Sequence, residues 1–107
     1  MNIRKAINIA DLLLPEARRW MRKTSESLDS EIQQTTAACL LDLKNAGVVN
    51  ICDEDPLIQQ ACKLYLKAQF GFSDDSEKWE KAYEHLKASL SLCSDYTVPA
   101  AEVSENG

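Results

Sequence analysis

One histidine, four cysteines and an acidic triplet are the residues of this sequence whose types could carry chemistry. His85 is the only histidine. Acid–base or nucleophilic catalysis needs a serine or cysteine placed against such a base, and none stands at a recognisable spacing from it. His85 also falls off the apolar stripe of its segment, which reads as an exposed surface residue. Cys39, Cys52, Cys62 and Cys93 are separated by 13, 10 and 31 positions, with no C-x-x-C pair. Tetrahedral metal sites draw on short-spaced ligand pairs, so no metal is expected. Cys39 and Cys62 lie on apolar helical faces, where a free cysteine behaves as a small hydrophobe. Asp53-Glu54-Asp55 invites calcium, but the alternating ligands and the glycine of a helix–loop–helix site are missing. A helix cap beside solvated acids is the plainer reading. Gly47, Gly71 and Gly107 are isolated and make no phosphate loop. Trp20 and Trp79 read as packing residues rather than ligand platforms. No catalytic residue, no cofactor and no enzymatic activity are expected.

Assembly chemistry is better represented. The chain has 107 residues and a net charge of −5, unevenly placed. Residues 1–23 hold six basic groups against two acidic ones, and the remainder holds six against fifteen. Four of the basic groups, Arg18, Arg19, Arg22 and Lys23, fall within six positions and are candidate partner contacts. They face either acidic surface of a neighbouring copy or partner, or nucleic acid; fifteen acids elsewhere on the chain favour protein. A basic helical face that is merely solvated is the alternative. Val98 and Val103, in a polar and acidic C-terminal stretch, are the other candidate contacts.

These residues need elements to hold them. Low glycine and proline favour long helices over a many-stranded sheet, and the length supports one domain with a single modest core. The spacing predicts four helices, near 11–22, 28–46, 56–70 and 75–92. The first is capped by Asp11 or starts at Pro15, with Ala17, Trp20 and Met21 inward, while residues 1–10 are ambiguous. Leu28, Ile32, Thr35, Cys39, Leu43 and Ala46 form the stripe of the second, and Gly47 is its left-handed stop. Capping patterns from Ser25 or Ser27 are imperfect. Val48 to Cys52 is a short apolar segment, folded over the core or facing a neighbour. Asp55 then Pro56 starts the third helix, apolar nearly all round and ended by Gly71. Ser73, Asp74 and Asp75 open the fourth, with Trp79, Ala82, Tyr83, Leu86 and Leu90 inward and Lys78, Lys81, His85 and Lys87 outward. Residues 1–96 form the helical domain and 97–107 a disordered tail. No apolar run approaches a bilayer span. Ala6 to Leu14, after Arg4 and Lys5, lacks a full signal-peptide core, so a cytosolic protein is expected.

A helix–short loop–helix pattern raises a small helical DNA-binding regulator as the alternative function. A recognition helix needs an exposed face of Arg, Asn or Gln. Residues 56–70 are too apolar for that, and 76–92 mixes charges beside several carboxylates.

The segments AGV (46–48), DPLIQQACKLYLKAQFGF (55–72) and YEHLKASLSL (83–92), closed by Tyr96, stand in the order of a known family. Upstream, DLLLPEARRWMRKT (11–24) and DSEIQQTTAACLLDLKNAGV (29–48) look like its first and longer second helices. The chain resembles the head-to-tail connector (adaptor) proteins of long-tailed phages, also called phage DNA-packaging proteins. That resemblance implies an all-α, small four-helix bundle with no enzymatic activity. It implies a homo-oligomeric ring under the portal protein that connects capsid to tail and continues the channel for genomic DNA, without sequence-specific binding. The other implied partner is a tail-completion or stopper protein. The implied location is the virion at the capsid–tail junction, with assembly in the bacterial host cytoplasm. The family has no invariant ligand residues to carry over. Pro15, Lys23 and the lead of residues 1–10 depart from its pattern.

Overall fold

The structure, a computed structural model, describes residues 1–22, 28–70 and 75–99. These form α1 (Ile3–Met21), α2 (Asp29–Asn45), α3 (Pro56–Phe70), α4 (Ser76–Ser91) and the short α5 (Ser94–Thr97). No strand occurs among the described residues. The expected all-α architecture of four main helices is observed, with α5 as an unexpected addition.

The first helix starts well before the expected residue 11. Asn2 caps it, its Oδ1 accepting the Lys5 N–H at 2.8 Å. Ala6, Ile9, Ala10 and Leu13 are buried and continue the stripe of Ala17 and Met21 without a break, so the apolar period runs straight through Pro15. A proline inside a helix costs about 3 kcal/mol, because the carbonyl four residues back loses its donor. Burial of Ile9 and Leu13, at ~1.5–3 kcal/mol each, offsets that. Pro15 itself is exposed, so its ring displaces nothing in the core. Arg22 ends the helix in the left-handed region, φ 55°, its N–H reaching the Arg19 carbonyl at 3.1 Å.

In α2 the buried residues are Ile32, Thr36, Ala37, Cys39, Leu40 and Leu43. Thr36, not the expected Thr35, faces inward, its hydroxyl donating to the Ile32 carbonyl at 2.8 Å. That bond is what lets a hydroxyl be buried. Leu28 is the N-cap residue and supplies no side-chain cap; Ser25 and Ser27 lie outside the described residues. Gly47, at φ 101°, closes α2 as expected. Its N–H reaches the Lys44 carbonyl and that of Val48 the Leu43 carbonyl, both at 3.0 Å, the double bond of a glycine C-cap. Val48 is thereby folded fully into the core, while Val49 stays exposed. Asp55 caps α3 as expected, accepting the Leu57 N–H at 2.8 Å. Gly71, Ser73 and Asp74 lie outside the described residues.

The helices run antiparallel in succession. Arg18 meets Asp29, Cys39 lies against Ala61, and the Tyr65 and Tyr83 rings meet edge-on with centroids 5.0 Å apart. One end of the bundle therefore gathers the start of α1, the end of α2, the start of α3, the end of α4 and α5. We call it the loop end. Arg18, Arg19 and Arg22 mark the other. The main core spans the middle and the loop end; a smaller one of Ala17, Met21, Ile32 and Leu66 fills the arginine end. Of the expected core, Ile32, Cys39, Leu43, Ile58, Cys62, Tyr83 and Leu90 are buried. Trp20, Leu28, Tyr65, Trp79 and Leu86 are half-buried against them.

Candidate functional site

A polar network crosses the middle of the bundle. Asp42 of α2 accepts the Tyr83 hydroxyl at 2.7 Å and the Lys87 ammonium at 2.9 Å, both from α4. Lys87 also pairs with Glu84 at 2.7 Å. Lys87 is thus not the outward lysine expected, its side chain being only 20 % exposed; Lys78, Lys81 and His85 are exposed as expected. Burial pushes the Asp42 carboxyl up, but the bonds from Lys87 and Tyr83 outweigh it and hold the group below the usual carboxylate range. Burial drives the Tyr83 phenol far above its ordinary value, with the Cys39 thiol and Asp42 adding to it. The Cys39 thiol, buried beside Tyr83 and also pushed up, lacks the thiolate character of a nucleophile. The network cross-braces α2 and α4 and holds no open position for a substrate.

A second set of bonds straps α5 to the α2–α3 loop. The Tyr96 carbonyl accepts the Val49 and Asn50 N–H groups at 2.8 and 3.1 Å. The Asn50 amide donates to the Asp95 and Val98 carbonyls at 2.8 and 2.5 Å, and the Tyr96 hydroxyl donates to Asp55 at 3.2 Å. Desolvation, then the bond to Asp55, pushes the Tyr96 phenol up to about 12. Asp55, the last of the acidic triplet, is therefore used by the α3 cap and by Tyr96. Among the described residues no group of three or more His, Cys, Asp and Glu is arranged to hold a metal.

Two of the four basic residues, Arg18 and Arg19, are paired within the chain. Arg18 Nε lies 3.1 Å from Asp29 Oδ1, and Arg19 is bonded to Glu16, which draws the Glu16 carboxyl down. Arg22 is exposed at the end of α1. Lys23 and Val103 lie outside the described residues, and Val98 is exposed beside the strap. The candidate contacts therefore fall at opposite ends of the bundle, the arginines at one and Val98 at the other.

Exposed apolar side chains concentrate at the loop end, of which the sequence singles out only Val98 and the segment 48–52. Ile3, Ile7, Val49, Leu57, Leu92 and Val98 are all exposed and all belong to the loop end; Leu12, on the outer face of α1, is the other large one among the described residues. Ile3 and Ile7, with Arg4 and Asn8, line a shallow groove on the first two turns of α1. The four-residue spacing of Ile3 and Ile7 is compatible with a helix, but says nothing of what covers them. No helix of the described residues is long and apolar enough to cross a membrane.

A family model described as a phage connector protein matches residues 18–97. No curated protein and no solved structure matches the chain.

Proposed function

We propose, from the premise that the chain belongs to the phage connector protein family, that it is a subunit of a homo-oligomeric ring seated under the portal. The ring joins capsid to tail, continues the channel for the genome without reading its sequence, and offers its far side to a tail-completion or stopper protein. It is a virion component with a structural, not enzymatic, role, assembled in the host cytoplasm. The observation that carries this reading beyond the family is the concentration of exposed apolar side chains at the loop end. A small domain that leaves such a surface open gains by burying it against other chains. The interior network supports it too, since its polar groups brace helices rather than face a cleft.

In this reading the folded unit runs through Val98, two residues past the expected boundary, because α5 and the strap hold Thr97 and Val98; the segment beyond is a tail that engages the portal. The arginines and Lys23 face acidic surface on a neighbouring subunit or on the portal. Electron microscopy of the protein mixed with its portal tests the whole. A ring of density added to the portal is expected; a bare portal at saturating protein would overturn it. Tight binding of a short DNA duplex with a steep salt dependence would instead favour a DNA-binding regulator.

A further inference from the structure

Two surfaces of different character meet solvent at the loop end. The first two turns of α1 present Ile3 and Ile7 between Arg4 and Lys5, all four exposed. The α2–α3 loop, the start of α3, and α5 with its flanking residues present Val49, Leu57, Leu92 and Val98 among Asp53, Glu54 and Asp95. Leu92 is 87 % exposed and Ile3 65 %, values at which a large aliphatic side chain leaves most of its burial energy unused by its own fold. None of these five charges has an ion-pair partner among the described residues. α1 packs chiefly on α2, whereas α4 packs on α3 and α5 on α4, which sets the first turns of α1 apart from Leu92 and the α5 region.

We infer that these are the two halves of one self-interface, in which the start of α1 of one copy docks on the loop, α3 start and α4–α5 junction of the next. The inference rests on the ring reading and names the surfaces that would close the ring. Charge decides the pairing. Two α1 surfaces face to face would oppose Arg4 and Lys5 to their own copies, and two acidic surfaces would oppose Asp53, Glu54 and Asp95, whereas the mixed contact pairs opposite signs around an apolar centre. A contact between two different patches is heterologous and repeats from copy to copy. Both patches lie at one end, an arrangement compatible with neighbours standing side by side around a ring. The strap between Asn50 and α5 gives the acidic half a fixed shape before docking.

Cross-linking of the full chain tests this. Cys52 is exposed on the acidic half and the uncharged Asn8 is exposed on the α1 half, so an Asn8→Cys variant, with Cys93→Ser to remove the half-buried thiol, carries one reactive thiol on each surface and keeps Arg4 and Lys5. Under assembling conditions a short bis-maleimide should give a ladder beyond dimer, while Cys93→Ser alone stops at dimer. In sedimentation velocity, Ile7→Ser and Arg4→Glu should each weaken self-association by about tenfold. Glu54→Lys should restore the Arg4→Glu chain, with unchanged helical circular dichroism throughout. If the full chain assembles but the ladder stops at dimer and the variants match the parent, the surface pairing is wrong and the ring reading survives. If the full chain stays monomeric both alone and on its portal, the ring reading fails and the inference with it.

Discussion

At the scale of single residues, the most consequential side chain is Asp42. It is the only carboxylate that joins α2 to α4 through two donors among the described residues. Its lowered pKa makes the brace pH-dependent. The charged form is favoured in the folded chain, so the contribution is fully present above the ordinary carboxylate pKa of about 4 and is lost as pH falls through the depressed folded value. Asp42→Asn should therefore destabilise the chain near neutrality, and the gap to the parent in urea melts should close at strongly acid pH. A gap that stays constant would show that the Asp42 charge is not what matters. Tyr96 gives a second test. Desolvation and the bond to Asp55 push its phenol up to about 12, so the neutral form is the one the fold favours. That contribution is present below the ordinary phenol pKa of about 10 and is lost as pH rises toward the folded value. Tyr96→Phe should cost about 0.5–1.5 kcal/mol and remove one tyrosine titrating above the ordinary phenol range from an ultraviolet pH titration.

At the scale of elements, α1 is where local and tertiary preferences disagree. Pro15 stands inside it, and the helix exists on both sides because Ala6 to Met21 form one buried stripe. Pro15→Ala restores a donor for the Asp11 carbonyl at an exposed position, so the variant should be more stable by about 1–3 kcal/mol in denaturant melts. A loss of stability would mean that the backbone conformation set by Pro15 is needed to seat both halves of the stripe. The other helix boundaries follow local rules more closely. Gly47 and Asp55 act where simple capping chemistry places them, since a left-handed stop and a carboxylate cap depend on a few neighbouring residues only.

At the scale of the whole molecule, the two ends differ in kind. The arginine end is charged and partly self-paired, so only part of its charge is open to a partner. Charge reversal at Arg19 and Arg22 should weaken assembly on the portal more at low salt than at high salt, because screening shortens the reach of exposed charges to about 10 Å at 0.1 M. Equal assembly at both salts would remove these residues from the interface. The tail calls for a cut later than residue 97. Thr97 bonds back to Cys93 and Val98 to Asn50, so a deletion of residues 100–107 spares the strap. It should leave melting unchanged and weaken portal attachment; full attachment would make these residues dispensable.

The helical class, the four main segments, the Gly47 stop, the Asp55 cap and most of the core were legible in the sequence. Each rests on periodicity or on a cap made by adjacent residues, and the ordered run of motifs carried the family. The sequence placed Lys87 outward because its own helix offers no reason to turn it in. Only the approach of α2 brings Asp42 within 2.9 Å of it, a contact between residues 45 positions apart. The same holds for Asn50 and Tyr96, whose bonds exist only once α5 folds back on the loop. The start of α1 was obscured by Pro15, a local signal overridden by burial against α2. Ile3, Ile7, Leu57 and Leu92 looked like any other apolar residues in the chain. Whether an apolar side chain is core or surface depends on which elements cover it, and that is decided by packing alone.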